Sequence, residues 1–120
     1  MKTKELGKLG ESQAQNYLNS QNYQIIETNF YSRYGEIDII VIDYSTNEIA
    51  FVEVKTRTSH AFGLPTESLT YTKRQRIIKT ALTFLNSTTK NIPRRWRIDL
   101  IGIQLDSEYK FRDLIHIKNI

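Results

Sequence analysis

The sequence predicts an α/β fold: a mixed five-stranded central sheet flanked by helices. Three observations carry that prediction. Apolar residues recur at helical spacing in two segments, 3–20 and 73–87. Five other segments, 23–29, 36–43, 49–57, 96–105 and 109–118, read as strands. The resulting order is helix, three strands, helix, two strands. The short polar turn at 44–48 implies an antiparallel pair. The second helix, lying between the third and fourth strands, has the order of a right-handed βαβ crossover.

In the first helix, Leu6, Leu9, Gly10, Ala14, Tyr17 and Leu18 share one side. "SQNY" at 20–23 breaks it, and "YQIIETN" forms the first strand. "FYSRYG" at 30–35 reads as an aromatic-rich turn, and "EIDIIVID" at 36–43 as the second strand. "IAFVEVKTR" at 49–57 returns as the third, with Phe51, Glu53 and Lys55 on one face and Val52 and Val54 on the other. A loop at 58–69 is punctuated by Gly63 and Pro65. The second helix opens on Thr72 with Gln75 three residues on, a capping-box pattern, and buries Ile77, Ile78, Ala81, Leu82, Phe84 and Leu85. "NIPRR" at 91–95 turns the chain into the last two strands.

The 120 residues suggest a single domain, 1–120, and 39% apolar content is enough for one core. The absence of cysteine excludes a disulfide framework and a thiolate metal site. A charged N-terminus without an apolar stretch, and no apolar run of about 18 residues, point to a cytoplasmic protein without a membrane partner. The net charge of +4 permits a nucleic-acid partner without demanding one.

Two carboxylates sit where a strand should be buried. Asp38 lies among Ile37, Ile39 and Ile40, and Glu53 follows Phe51 and Val52 on the neighbouring strand. Buried carboxylates need a partner. If the strands pair about the 44–48 turn, the two acids come near each other and repel, and each resists ionisation. A divalent cation removes that conflict, and hard oxygen ligands suit Mg²⁺ or Mn²⁺. Lys55, two residues beyond Glu53, stands beside such a site and can orient water or stabilise phosphoryl charge. Glu11 lies roughly 20° from Leu18 around the first helix, at the margin of its buried face. Taken singly, each has a plainer reading. Glu-x-Lys on a strand usually marks an ion pair, Asp38 can be satisfied by backbone N–H groups, and Glu11 can be solvated. The rarer feature is the combination: Asp38, fourteen intervening residues, then Glu-x-Lys.

"GESQAQNYL" at 10–18, "YGEIDIIVID" at 34–43, "FVEVKTR" at 51–57, "AFG" at 61–63 and "KRQR" at 73–76 together resemble the YraN-like family of small bacterial proteins. That family falls in the PD-(D/E)xK nuclease superfamily and is related to archaeal Holliday junction resolvases. The resemblance runs from about residue 7 to residue 103. It implies a restriction-endonuclease-like, resolvase-like core. It implies that Asp38, Glu53 and the backbone carbonyl of Val54 ligate Mg²⁺ or Mn²⁺, that Glu11 completes the acidic set, and that Lys55 is the catalytic lysine. Gln75 is similar to a glutamine that some of these nucleases carry. Ile37 replaces the superfamily's proline, and Lys79 stands where the RecB-like pattern has tyrosine.

The implied chemistry is metal-dependent endonucleolytic hydrolysis of DNA, on branched, junction or single-stranded substrates. The implied assembly, by analogy with resolvases, is a homodimer. Lys73, Arg74 and Arg76 at the start of the second helix, Arg57 behind Lys55, and Arg33 among aromatics are the candidate phosphate contacts. Trp96 in "RRWR" reads as core, His116 as a strand-face residue, and His60 as a loop residue that could touch substrate, although nothing in the sequence shows that it does. The competing reading is a non-catalytic nucleic-acid-binding module that keeps the fold; a third is a scaffold domain with these charges as structural ion pairs.

Overall fold

The computed structural model describes residues 2–58 and 69–120. Residues 59–68 of the expected 58–69 loop, with His60, the "AFG" segment, Gly63 and Pro65, lie outside the described residues. Helix α1 spans Thr3–Ser20, and strands β1 (Tyr23–Ser32), β2 (Gly35–Asp43) and β3 (Glu48–Arg57) follow. Helix α2 (Tyr71–Ser87) then leads to β4 (Trp96–Leu105) and β5 (Phe111–Ile117). The five strands form one sheet in the order β1-β2-β3-β4-β5. Only β3 and β4 are parallel, and α2 is the crossover between them. The fold is therefore α/β with a mixed sheet, compatible with a resolvase-like core.

Each face of the sheet carries its own core. Ala14 and Leu18 of α1 pack with Ile39, Val41, Ala50, Val52, Ile101 and Ile103. On the other face, Ile77, Ala81 and Phe84 of α2 pack with Ile37, Ile40, Ile49, Phe51 and Ile98. The period-2 alternation of β3 does this sorting: Phe51 faces α2, while Val52 and Val54 face α1. Trp96 joins the α2 core, its ring 5.7 Å from that of Phe51.

The helix stripes are narrower than the sequence pattern suggests. Leu9 and Leu82 are exposed. In α1 the reason is Gly10: a Cβ there would fall 1.6 Å from Thr56 Oγ1 and 2.8 Å from Thr56 Cβ. The helix crosses β3 so closely that the row Gly10–Ala14–Leu18 is the contact line, and Leu9 is turned off it. In α2 the line is Ile77–Ala81–Phe84, and Leu82 lies one residue, about 100°, to its side.

Three expected boundaries move. β5 begins at Phe111 rather than at residue 109, because Tyr109 takes a left-handed backbone, φ 64°, in the turn before it. β1 runs on to Ser32, so Phe30 and Tyr31 are strand residues paired with Ile37 and Glu36 rather than part of a turn. The turn is only Arg33–Tyr34, with the Ser32 hydroxyl accepting from the Tyr34 N–H at 3.0 Å. Helix α2 begins two residues early. Its cap is Thr70, whose hydroxyl accepts from the Lys73 N–H at 3.1 Å, so Thr72 lies inside the helix and forms no capping box with Gln75.

Candidate functional site

The backbone pairing of β2 with β3 ends at Ile39–Val52. One step beyond, Asp38 and Glu53 come opposite each other, while β3 continues alongside β4 as far as Arg57. Among the described residues, no strand therefore pairs with the β2-facing edge of β3 from Glu53 onwards. A side chain takes the place of the missing ladder bond: the Val54 N–H donates to Asp38 Oδ2 at 2.7 Å. N–H and C=O of one strand residue project to the same edge, so the Val54 carbonyl also faces this gap.

The local cause lies partly in β1. Asn29 adopts a left-handed backbone, φ 48°, between the paired residues Thr28–Ile39 and Phe30–Ile37. Asparagine tolerates that conformation better than most residues. Its side chain leaves the sheet and donates to Glu11 Oε1 at 3.0 Å, tying α1 to the site's edge.

Asp38 is buried, with 7% of its surface exposed. Burial, the hydrogen-bonded Glu53 carboxyl and its charge together push the Asp38 carboxyl up to about 9, although the Val54 N–H pulls the other way. The pair thus holds a proton at neutral pH instead of two negative charges. Glu53 has a further partner, the Lys73 ammonium from the first turn of α2, 3.3 Å away. Glu36, Ile37, Val52, Glu53 and Ile77 line a tight cleft at this place. Lys55 is half-buried on the same face of β3 as Glu53, and among the described residues it has no ion-pair or hydrogen-bond partner.

The donor set fits a hard divalent cation: two carboxylates that repel as anions, with a backbone carbonyl facing the same gap. Mg²⁺ sites commonly use one or two carboxylates and leave the other positions to water and substrate phosphate. Glu11 stands apart, hydrogen-bonded to Asn29 and lining a neighbouring cavity. Among the described residues no three His, Cys, Asp or Glu side chains converge on one ion position.

The model of the uncharacterised protein family UPF0102 matches residues 10–103, which include every one of these acids and Lys55. The chain belongs to the UPF0102 family. A UPF0102 protein from Caldanaerobacter subterraneus subsp. tengcongensis is 42% identical over 105 residues, covering 88% of this chain and 84% of the relative. One from Thermodesulfovibrio yellowstonii is 46% identical over 99 residues, covering 82% and 85%. One from Caldicellulosiruptor bescii is 39% identical over 119 residues, covering 99% and 98%. These names state no reaction, so the chemistry of this UPF0102 member is argued from its site.

The candidate phosphate contacts separate. Lys73 turns inward to Glu53. Arg74 Nε donates to the Ile120 carbonyl at 3.2 Å and holds the C-terminus. Arg33 donates to the Tyr34 hydroxyl at 2.7 Å and lies over that ring. Arg76 is exposed on α2 near Gly35 at the β1–β2 turn, and Gln75 is half-buried beside it. Arg57 closes β3, two residues past Lys55.

His116 and Arg97 belong to a different system at the other end of the sheet. Arg97 is buried and reaches Asp43 at 2.9 Å, Glu48 at 3.0 Å and Asp99 at 2.9 Å. The buried Asp43 Oδ2 receives no well-aligned hydrogen bond and is held by the Arg97 ion pair. Asp99 also accepts from the Asn119 N–H at 3.0 Å and meets His116 Nε2 at 2.8 Å, while His116 Nδ1 meets the Tyr17 hydroxyl at 2.8 Å. Arg97 is thus a structural residue, and "RRWR" does not form a surface contact as a unit. Sequence reasoning missed Glu36 and Asn29 at the site. The available signals were a second acid in "GEID" and a lone Asn within an aromatic strand.

No helix among the described residues is long and apolar enough to cross a membrane.

Proposed function

We propose that this protein is a metal-dependent endonuclease that hydrolyses DNA phosphodiester bonds. The observation that carries the reading is the buried Asp38–Glu53 pair at the edge of β3 just beyond its pairing with β2, with Lys55 on the same strand face and without a partner among the described residues. A structural ion pair would be expected to join Lys55 to one of these acids; instead the acids face each other.

Asp38, Glu53 and the Val54 carbonyl would hold Mg²⁺ or Mn²⁺, which supplies Lewis-acid polarisation of the scissile phosphate. Asp38 must give up its proton to act as a ligand. Lys55 donates hydrogen bonds to the attacking water or to the phosphoryl oxygens, where negative charge grows in the transition state. Water adds to phosphorus, the bond from phosphorus to the leaving oxygen breaks, and that oxygen takes up a proton. Lys73, once released from Glu53, is placed to meet a phosphate. A second reading, a non-catalytic nucleic-acid-binding module, is favoured by one observation: Lys73 already neutralises Glu53 without metal.

The test is cleavage of labelled duplex, single-stranded, flap and four-way-junction DNA with Mg²⁺, Mn²⁺ or EDTA. Cleavage that needs metal, and that Asp38→Asn and Lys55→Ala each abolish, is expected. Salt-sensitive binding with no cleavage on any substrate would establish the binding module instead.

A further inference from the structure

A cavity of about 460 Å³ lies between α1 and the β1–β2 hairpin, lined by Lys4, Gly7, Lys8, Glu11, Asn29, Tyr31 and Glu36. We infer that this cavity receives one unpaired base of a single DNA strand, with Lys4 and Lys8 on the flanking phosphates and Tyr31 stacked on the base. The inference rests on the nuclease reading for its biological setting and extends it by naming the substrate class.

Four observations carry it. First, the size: pockets for nucleotide-sized ligands run roughly 300–1,000 Å³. Second, the ring: Tyr31 is 71% exposed although it sits in a paired strand, directly opposite Glu36. Its neighbours in the same segment are otherwise employed, Phe30 against Phe84 in the core and Tyr34 under Arg33 and Lys79. Third, the polarity: Lys4 and Lys8 are exposed and, among the described residues, carry no ion pair, whereas Glu11 and Glu36 are half-buried. A cationic rim suits phosphates, and acceptor carboxylates deeper in suit the amino groups of a base edge. Fourth, continuity: Glu36 lines both this cavity and the cleft that holds Glu53. Glu11 of the cavity also acts on the charge of Asp38, so a strand seated here passes near Asp38.

The unpaired base follows from the chemistry. A ring can stack only on a base face that is free, and in a duplex both faces are covered by neighbouring pairs. Lysines alone would bind any polyanion, so Tyr31 is what separates single strands from duplex.

The test is fluorescence anisotropy with a labelled 20-mer of deoxycytidine and a 20-base-pair duplex, in EDTA so that no cleavage intervenes. Tyr31→Ala is expected to weaken the single strand about 5- to 150-fold, as loss of one stacked base does, and to leave the duplex unchanged; Tyr31→Phe is expected to restore most of the loss. Lys4→Gln with Lys8→Gln is expected to reduce the salt slope by about 1.4, two phosphates at 0.7 each. Gly7→Met gives an independent check. A Cβ at Gly7 meets nothing within 4 Å, so this variant folds while its side chain fills the cavity. It is expected to weaken single-strand binding. Unchanged single-strand binding in Tyr31→Ala and Gly7→Met, or an equal loss on duplex, overturns the inference, as does wild-type protein that binds no single strand. Cleavage separates the two readings. Metal-dependent cutting that survives Tyr31→Ala and Gly7→Met leaves the nuclease and removes the cavity. Cavity-dependent binding without any cutting does the reverse.

Discussion

The two ends of the central sheet treat buried charge in opposite ways. At the β2–β3 turn end, Arg97 is surrounded by Asp43, Glu48 and Asp99, and Asp99 is shared with His116 and the Asn119 N–H. Cations and N–H donors answer the acids there. At the other end, Asp38 and Glu53 face each other; Asp38 has only the Val54 N–H and Glu53 the half-exposed Lys73 ammonium, and among the described residues Lys55 answers neither. A charge network that is internally complete gains nothing from a ligand and serves the fold. Two facing carboxyls at a strand edge, one of which must keep its proton, gain from a cation that lets both ionise. That contrast is the physical reason to look for chemistry at one end and not at the other.

The largest expected effects probe both ends directly. Lys55→Ala should lower metal-dependent cleavage by about 100-fold or more, in the range of a lost catalytic proton or charge partner, with little change in melting temperature. Arg97→Met should do the opposite. Leaving buried carboxylates unpaired costs about 3–5 kcal/mol, read by chemical denaturation, while the folded fraction keeps its specific activity. If Arg97→Met removed cleavage from folded protein, the division between the ends would be wrong.

The pH dependence should carry opposite signs. Burial pushes Asp99 up, but the bonds from His116, Arg97 and the Asn119 N–H outweigh it and hold the carboxyl below its ordinary 3.8. Its stabilisation is complete above that value and is lost as pH falls through the lower folded one. For Asp38 the folded value, about 9, lies above the ordinary 3.8. Its contribution is complete below the ordinary value and declines as pH rises towards the folded one. Melting temperature followed from about pH 2 to about pH 9 should therefore fall less steeply with rising pH in Asp38→Asn, and Asp99→Asn should lessen the loss of stability below pH 3.8. Identical profiles for Asp38→Asn and wild type would remove the argument that the Asp38–Glu53 pair is strained.

Gly10→Ala should cost about 1–3 kcal/mol as an overpacked contact, since Thr56 Oγ1, Cβ and Cγ2 all lie within 3.0 Å of the new carbon. Because Thr56 adjoins Lys55, cleavage should fall with stability. A stability loss at full activity would show that the α1–β3 contact does not position the lysine. The smallest effect expected is at Thr70→Ala, about 1 kcal/mol for a lost helix cap, with Thr72→Ala nearly neutral by the same thermal measurement.

Much of this was legible in the residues. The two-residue alternation of "FVEVKTR" and the apolar "EIDIIVID" defined adjacent strands, and the spacing of Asp38 from Glu53 placed two acids near each other, because antiparallel register follows from a short turn. Local chemistry of that kind is encoded over a few residues. The cap of α2 was misplaced because Thr70 and Thr72 offer the same hydroxyl, and backbone geometry selects between them. Leu9 and Leu82 fit helical periodicity as well as their buried neighbours do; only the close crossing at Gly10 and the single contact line of α2 turn them outward.

The cations show the limit most clearly. As sequence, Lys73, Arg74, Arg97, Lys4 and Lys8 are alike: positive side chains near apolar segments. In the fold, Lys73 goes to Glu53, Arg74 to the C-terminal carbonyl, Arg97 into a buried acidic cluster, and Lys4 and Lys8 to the rim of a cavity. Residue type and period set the strands, the helices and the presence of paired acids, since those depend on neighbours in the chain. The partner of each charge depends on residues tens of positions away, brought together when the sheet and its two helices pack.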